Sequence, residues 1–179
     1  MNPTSIFLVD LVTGYVVATL FAIHYFWPKV KSMDRLSANR LIATIHSFRY
    51  YGLTFLLPGV VGAHLPSDFA VTAAYGDFLA ATLAIGALVS YKKPKIFWPM
   101  VWLFNLAGMA DLVIDTANAV RLDLPSVSGQ LGANFAIPTI YVPVLFVTHV
   151  VAFALLLQRE GRGARAQSAF QSSHSSGIG

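Results

Sequence analysis

The chain has 179 residues, of which 56% are hydrophobic and 11% charged, where a soluble domain carries roughly 25% charged residues. That balance, with a mean hydropathy of +0.64, excludes a water-soluble globule and also a disordered chain, which needs low hydrophobicity and high net charge. The absence of cysteine excludes disulfides, thiolate metal sites and a cysteine nucleophile.

About 20 apolar residues cross the hydrocarbon core of a bilayer, and five stretches reach that length: Ser5 to Trp27, Leu41 to Val61, Phe69 to Tyr91, Ile96 to Val120 and Ile137 to Leu157. None shows the inside/outside alternation of a barrel strand. The expectation is an all-α polytopic membrane protein, a bundle of five transmembrane helices over residues 1–160, followed by a disordered cytoplasmic tail over 161–179, which is rich in Gly, Ser and Gln. The first stretch has no basic residue before it and no small-residue cleavage site after it, so it reads as a retained helix rather than a removable signal peptide. Pro58 and Gly59 should end or bend the second helix, and Ser67 and Asp68 are candidate caps for the third. Asn134 stands where the fifth would be capped, and Pro143 should bend it.

The net charge of +4 is not a nucleic-acid signal, because almost all the lysines and arginines flank apolar runs. Lys29, Lys31, Arg35 and Arg40 fall at the first connection, Lys92, Lys93 and Lys95 at the third, and Arg159, Arg162 and Arg165 follow the fifth stretch. Positive-inside reasoning therefore puts the N-terminus outside and the C-terminus in the cytoplasm of an inner (plasma) membrane, with the lipid bilayer as the first partner.

The residues that carry chemistry are those that do not belong in hydrocarbon. With uniform rise, His46 lies at about 9 Å depth, Arg49 and His149 near ~14 Å, Asp111 near ~19 Å and Asp77 near ~21 Å. Arg or Asp at a helix centre costs roughly 2.5–3.5 kcal/mol, so Arg49 with Asp77, Asp111 and Asp115 amounts to about 10 kcal/mol or more if unpaired. Lipid exposure is excluded on that ground. Asn105, Gly108, Asp111, Asp115 and Asn118 fall within an arc of about 140° on the fourth helix, which should face inward. His46, Arg49 and Tyr50 stand at i, i+3 and i+4 on the second and should share a face. One arginine neutralises one carboxylate; the other acids must be met by protons, a histidinium, a bound cation or water.

This set of residues fits the binding or translocation of a small solute or ion with proton coupling, at a site built from Arg49, Asp77, Asp111, Asp115, His149, His46, Asn105 and Tyr50. Three further readings stay open. His46 and His149, intramembrane imidazoles on different helices, suit a b-type haem or a metal. His149 with Asp111 suits an intramembrane enzyme. The polar layer also suits a structural subunit that docks a membrane-complex partner or a second copy. G-x-S-x-G, H-E-x-x-H and P-loop signatures are absent from the sequence. A reporter fused after Leu157 is expected to read cytoplasmic; a periplasmic reading would overturn the count of five spans.

Overall fold

The computed structural model describes residues 2–158; the tail expected over 161–179 lies outside them. Among the described residues the chain forms six α-helices joined by 3₁₀ and π segments, and no strand. Helix α1 (Pro3–Phe21) starts on Asn2, whose Oδ1 accepts from the Ser5 amide at 2.8 Å. It runs through one π turn, Ala22–Phe26, into α2 (Trp27–Ser32). The π turn directly precedes Pro28, whose ring clashes with the carbonyl four residues back, and a wider turn relieves that clash. Lys29 and Lys31 are therefore helical, and the expected first loop shrinks to Met33 and Asp34.

Asp34 caps α3 (Arg35–Ser47), accepting from the Ser37 amide at 2.9 Å. The hydrogen bonds from Ser37 hold its carboxyl below the usual range. The helix then tightens into a 3₁₀ segment, Phe48–Leu56, and ends before Pro58 and Gly59, the latter at φ +85°. The second helical run thus occupies residues 35–56 rather than the expected 41–61, because Asp34 starts it early and Pro58 with Gly59 stops it early. Helix α4 (Ser67–Val89) follows Pro66 with no side-chain cap, so Ser67 and Asp68 do not play the expected part. Helix α5 (Pro94–Arg121) leads into 3₁₀ turns over Leu124–Phe135, broken at Val127 and Gly132. A second π turn, Ile137–Tyr141, precedes Pro143 and opens α6 (Val142–Leu157). Asn134 is buried beside this entry and accepts from the Thr54 hydroxyl at 3.0 Å instead of capping it.

Four runs are long and apolar enough to cross a membrane: Pro3–Ser32, Ser67–Val89, Pro94–Arg121 and Ile137–Leu157. The chain is a membrane protein. The run 35–56 falls short by composition, because Arg35, Arg40, His46 and Arg49 lower its hydropathy.

Helix α4 lies at the centre, packed against α5, α3 and the 3₁₀ segment Phe48–Leu56, while α1 leans on the segments 124–141 and on α6. Two apolar clusters divide the bundle. One, at the lysine-bearing end, gathers Val30, Ile42, Phe97, Phe104 and Leu155; the other, at the opposite end, gathers Phe7, Phe55, Phe69, Leu124 and Ile137. Along α4, Asp77 falls in sequence between its contributions to the two clusters, and His46 and Arg49 fall between Ile42 and Phe55, so a polar layer lies between the two apolar clusters.

The opposite end is closed by main-chain bonds between two loops. Gly62 N donates to Gln130 O at 2.8 Å and Ala133 N to Val60 O at 3.1 Å. Gly132, at φ 56° and ψ −128°, makes this crossing possible, since a side chain there would run into the Val60 carbonyl. Gly132→Ala is expected to lower stability by about 1–3 kcal/mol in detergent thermal unfolding, while Gly129→Ala, facing open space, stays near wild type. Equal midpoints for the two variants would contradict this role.

Candidate functional site

Arg49 lies near the start of the 3₁₀ segment and is completely buried. In that segment the buried residues are Arg49, Gly52 and Phe55, a repeat of three that is the 3₁₀ period. The guanidinium uses all three of its nitrogens. Nε donates to Asp77 Oδ1 at 2.7 Å, one terminal nitrogen donates to the Gly108 carbonyl at 3.1 Å, and the other to Asp111 Oδ2. Asp77 comes from α4 and Asp111 from α5, with side chains only 8% and 11% exposed. One cation thus ties three segments together, with the charge-assisted geometry that makes such bonds strong.

Glycine makes the space. A Cβ on Gly108 would stand 2.6 Å from His149 Nε2 and 2.7 Å from an Arg49 nitrogen, and one on Gly52 would stand 2.6 Å from Asp77 Cβ. Gly52 escaped the sequence reading. Its signal is positional: a glycine in a helical run forfeits about 1 kcal/mol against alanine, which close approach to a neighbouring charged residue repays.

Two histidines complete the layer. Asn105 Nδ2 donates to Val101 O at 2.8 Å, so its Oδ1 is left to accept from His149 Nδ1 at 2.9 Å. That assigns the proton of His149 to Nδ1 and turns its Nε2 lone pair toward Arg49, 3.4 Å away. The Thr148 hydroxyl donates back to Val144 O at 2.8 Å, so it accepts from His46 Nε2 at 3.0 Å. His46 Nδ1 is then a buried acceptor without a partner among the described residues. Both rings are neutral in this network, and their centroids are 4.0 Å apart.

The two rings lie against each other, with His46 Nε2 on Thr148 and His149 Nε2 toward Arg49. Among the described residues no three His, Asp or Glu side chains gather as a metal site would require.

Of the expected site residues, Arg49, Asp77, Asp111, His149, His46 and Asn105 come together. Tyr50 does not: it is 50% exposed, because the 3₁₀ turn of about 120° per residue swings it away from Arg49. Asp115 stands one turn from Asp111 and makes no bond to Arg49. Its Oδ1 is buried without a hydrogen-bond partner among the described residues. Asp115 and Asp77 instead line a cavity of about 180 Å³, walled for the most part by apolar side chains including Phe7, Phe55, Phe69 and Leu124. Asn118 is further out, where it donates to Thr72 at 3.2 Å and accepts from Arg121 at 3.2 Å.

These features define a helical membrane protein built on a buried arginine–carboxylate–histidine network beside an apolar cavity. The chain belongs to the family described as Domain of unknown function (DUF8737), whose model matches residues 6–157. No curated protein and no solved structure matches it.

Arg49→Ala leaves two buried carboxylates without their cation and is expected to cost about 3–5 kcal/mol. Arg121→Ala removes a side chain 60% exposed, 3.9 Å from Asp68, and is expected to cost at most about 1 kcal/mol. Thermal unfolding of the two purified variants decides this, and similar shifts would remove Arg49 from its structural role. By the same measurement Gly108→Ala should lose about 1–3 kcal/mol through overpacking, whereas Gly86→Ala, near only the Met100 sulfur at 3.3 Å, should lose much less.

Proposed function

We propose that this is a five-span protein of the inner (plasma) membrane, N-terminus outside and C-terminus cytoplasmic, that binds or translocates a small solute or ion with proton coupling. The observation that carries this reading is a charge imbalance. One guanidinium, that of Arg49, faces Asp77 and Asp111, while Asp115 borders the cavity with no cation of its own among the described residues. Three carboxylates against one cation in a layer flanked by apolar clusters call for protons or a bound cation for neutrality. A site that must exchange one for the other is a coupling site.

The length of the second helical run supports the fifth span. Thirteen α residues and nine 3₁₀ residues extend about 38 Å at their respective rises, more than the ~30 Å hydrocarbon core. The basic residues support the orientation, since they collect at one end on aromatic partners: Arg35 over Trp98 at 4.7 Å and Arg40 over Tyr91 at 4.0 Å. Lipid is the surrounding partner, and Val9, Val12, Val16 and Leu20 leave one side of α1 uncovered for lipid or for a second copy.

Infrared difference spectroscopy of the purified protein tests the coupling. A carboxylic C=O band is expected at neutral pH that is lost in Asp115→Asn or Asp111→Asn. A spectrum without such a band, or one unchanged by both variants, would contradict proton coupling at this site.

A further inference from the structure

The cavity beside the network allows the solute class to be named, an inference that rests on the coupling reading above. We propose that the cavity binds a small organic ammonium ion, an apolar ring or chain bearing one protonated amine, with the ammonium group at Asp115 and Asp77 and the apolar body among Phe7, Phe55, Phe69 and Leu124.

The lining combines the two groups that recognise such a molecule. Phe7, Phe55 and Phe69 are each at most 4% exposed, and Phe55 meets Phe69 edge-on at 5.7 Å, so ring faces and apolar surface are fixed before any ligand arrives. Aromatic faces attract an ammonium and its attached carbons, the more so where water is excluded. Asp115 shares this lining, and its Oδ1 is buried with no hydrogen-bond donor among the described residues. A neutral solute would leave that oxygen unpaired, and an anion would meet two carboxylates; an ammonium supplies up to three N–H donors and the missing positive charge.

Size narrows the class. A cavity of about 180 Å³ is a little larger than the ~150 Å³ that accommodates benzene, leaving room for one ring and a short aminoalkyl arm. The wall is completed by Leu8 and Tyr15 of α1 and by Thr116 and Val120 of α5. Leu8 is 46% and Val120 76% exposed, so the cavity meets the surface between these two helices, where an amphipathic amine dissolved in the bilayer can enter. Charge is conserved in the exchange: as the ammonium enters with its own protons, Asp115 releases one proton to solvent and becomes the carboxylate that pairs with it.

The test is isothermal titration calorimetry of the purified full chain near neutral pH, with phenethylamine and its neutral counterpart phenethyl alcohol as probes. Phenethylamine is expected to bind at least roughly tenfold more tightly than the alcohol, and Asp115→Asn to remove at least roughly tenfold of the amine affinity while leaving the alcohol unchanged. Ala119→Leu, which fills the cavity without removing a carboxylate, should weaken both probes and serves where Asp115→Asn fails to fold. Equal affinity for the two probes, an unaltered amine affinity in Asp115→Asn or Ala119→Leu, or no saturable amine binding would overturn the proposal. The two readings fail separately: absent amine binding with the Asp115-dependent infrared band retained removes only the ammonium ligand, whereas loss of both removes the coupling reading as well.

Discussion

A guanidinium buried in the middle of a helical bundle dictates most of what surrounds it. Arg49 cannot shed its proton and cannot reach water, so the fold must supply acceptors for its donors from whatever segments lie within reach. Asp77 comes from α4, Asp111 and the Gly108 carbonyl from α5, and the His149 lone pair from α6. Because each acceptor comes from a place that must be held in register with the others, the ion cluster sets the relative height of the helices in a way that apolar packing cannot. Gly52 and Gly108 follow from the same demand, since the helices must approach closely enough for short bonds.

The local backbone also follows from it. Continued as an α-helix, the second run would carry Phe55 away from the Arg49 face; as a 3₁₀ helix it keeps Arg49, Gly52 and Phe55 in one buried row. Nine residues are long for this form, whose hydrogen bonds are poorer than those of the α-helix. At the junction the Tyr141 hydroxyl donates to Ile45 O at 2.9 Å, giving that carbonyl a further partner where the ladder changes. The arginine row and the tyrosine bond act together on one stretch of backbone. The same row delivers Phe55 to the cavity wall and Arg49 to its charged neighbour, which is how packing and site come to share a single segment.

The helical class and the membrane setting were legible because apolar run length is a signal that tertiary structure rarely overrides. So was the convergence of Arg49, Asp77, Asp111, His46, His149 and Asn105, since the cost of leaving them in lipid forces them inward whatever the helix order. Tyr50 was misplaced for a geometric reason: a face drawn at 100° per residue fails where the chain turns by about 120°. The bounds of the second run were missed because Asp34 caps it several residues before its apolar stretch begins, and the cap expected at Asn134 failed because its side chain takes the Thr54 hydroxyl rather than a backbone amide. Histidine on two helices suggested a ligand pair, but hydrogen-bond partners far away in the chain, Thr148 for His46 and Asn105 for His149, decide where the ring protons lie, and they gain meaning only in three dimensions. The cavity had no sequence signal at all, as its lining is drawn from segments spread over the whole described chain.

Charge, not volume, makes Arg49 indispensable to the fold. Thermal unfolding of Arg49→Met compared with the triple variant Arg49→Met, Asp77→Asn, Asp111→Asn separates the two. If the loss comes from carboxylates stranded without their cation, neutralising them together must restore most of the stability that the single variant forfeits. A triple variant no more stable than Arg49→Met would show that the guanidinium serves as packing volume and would contradict the account.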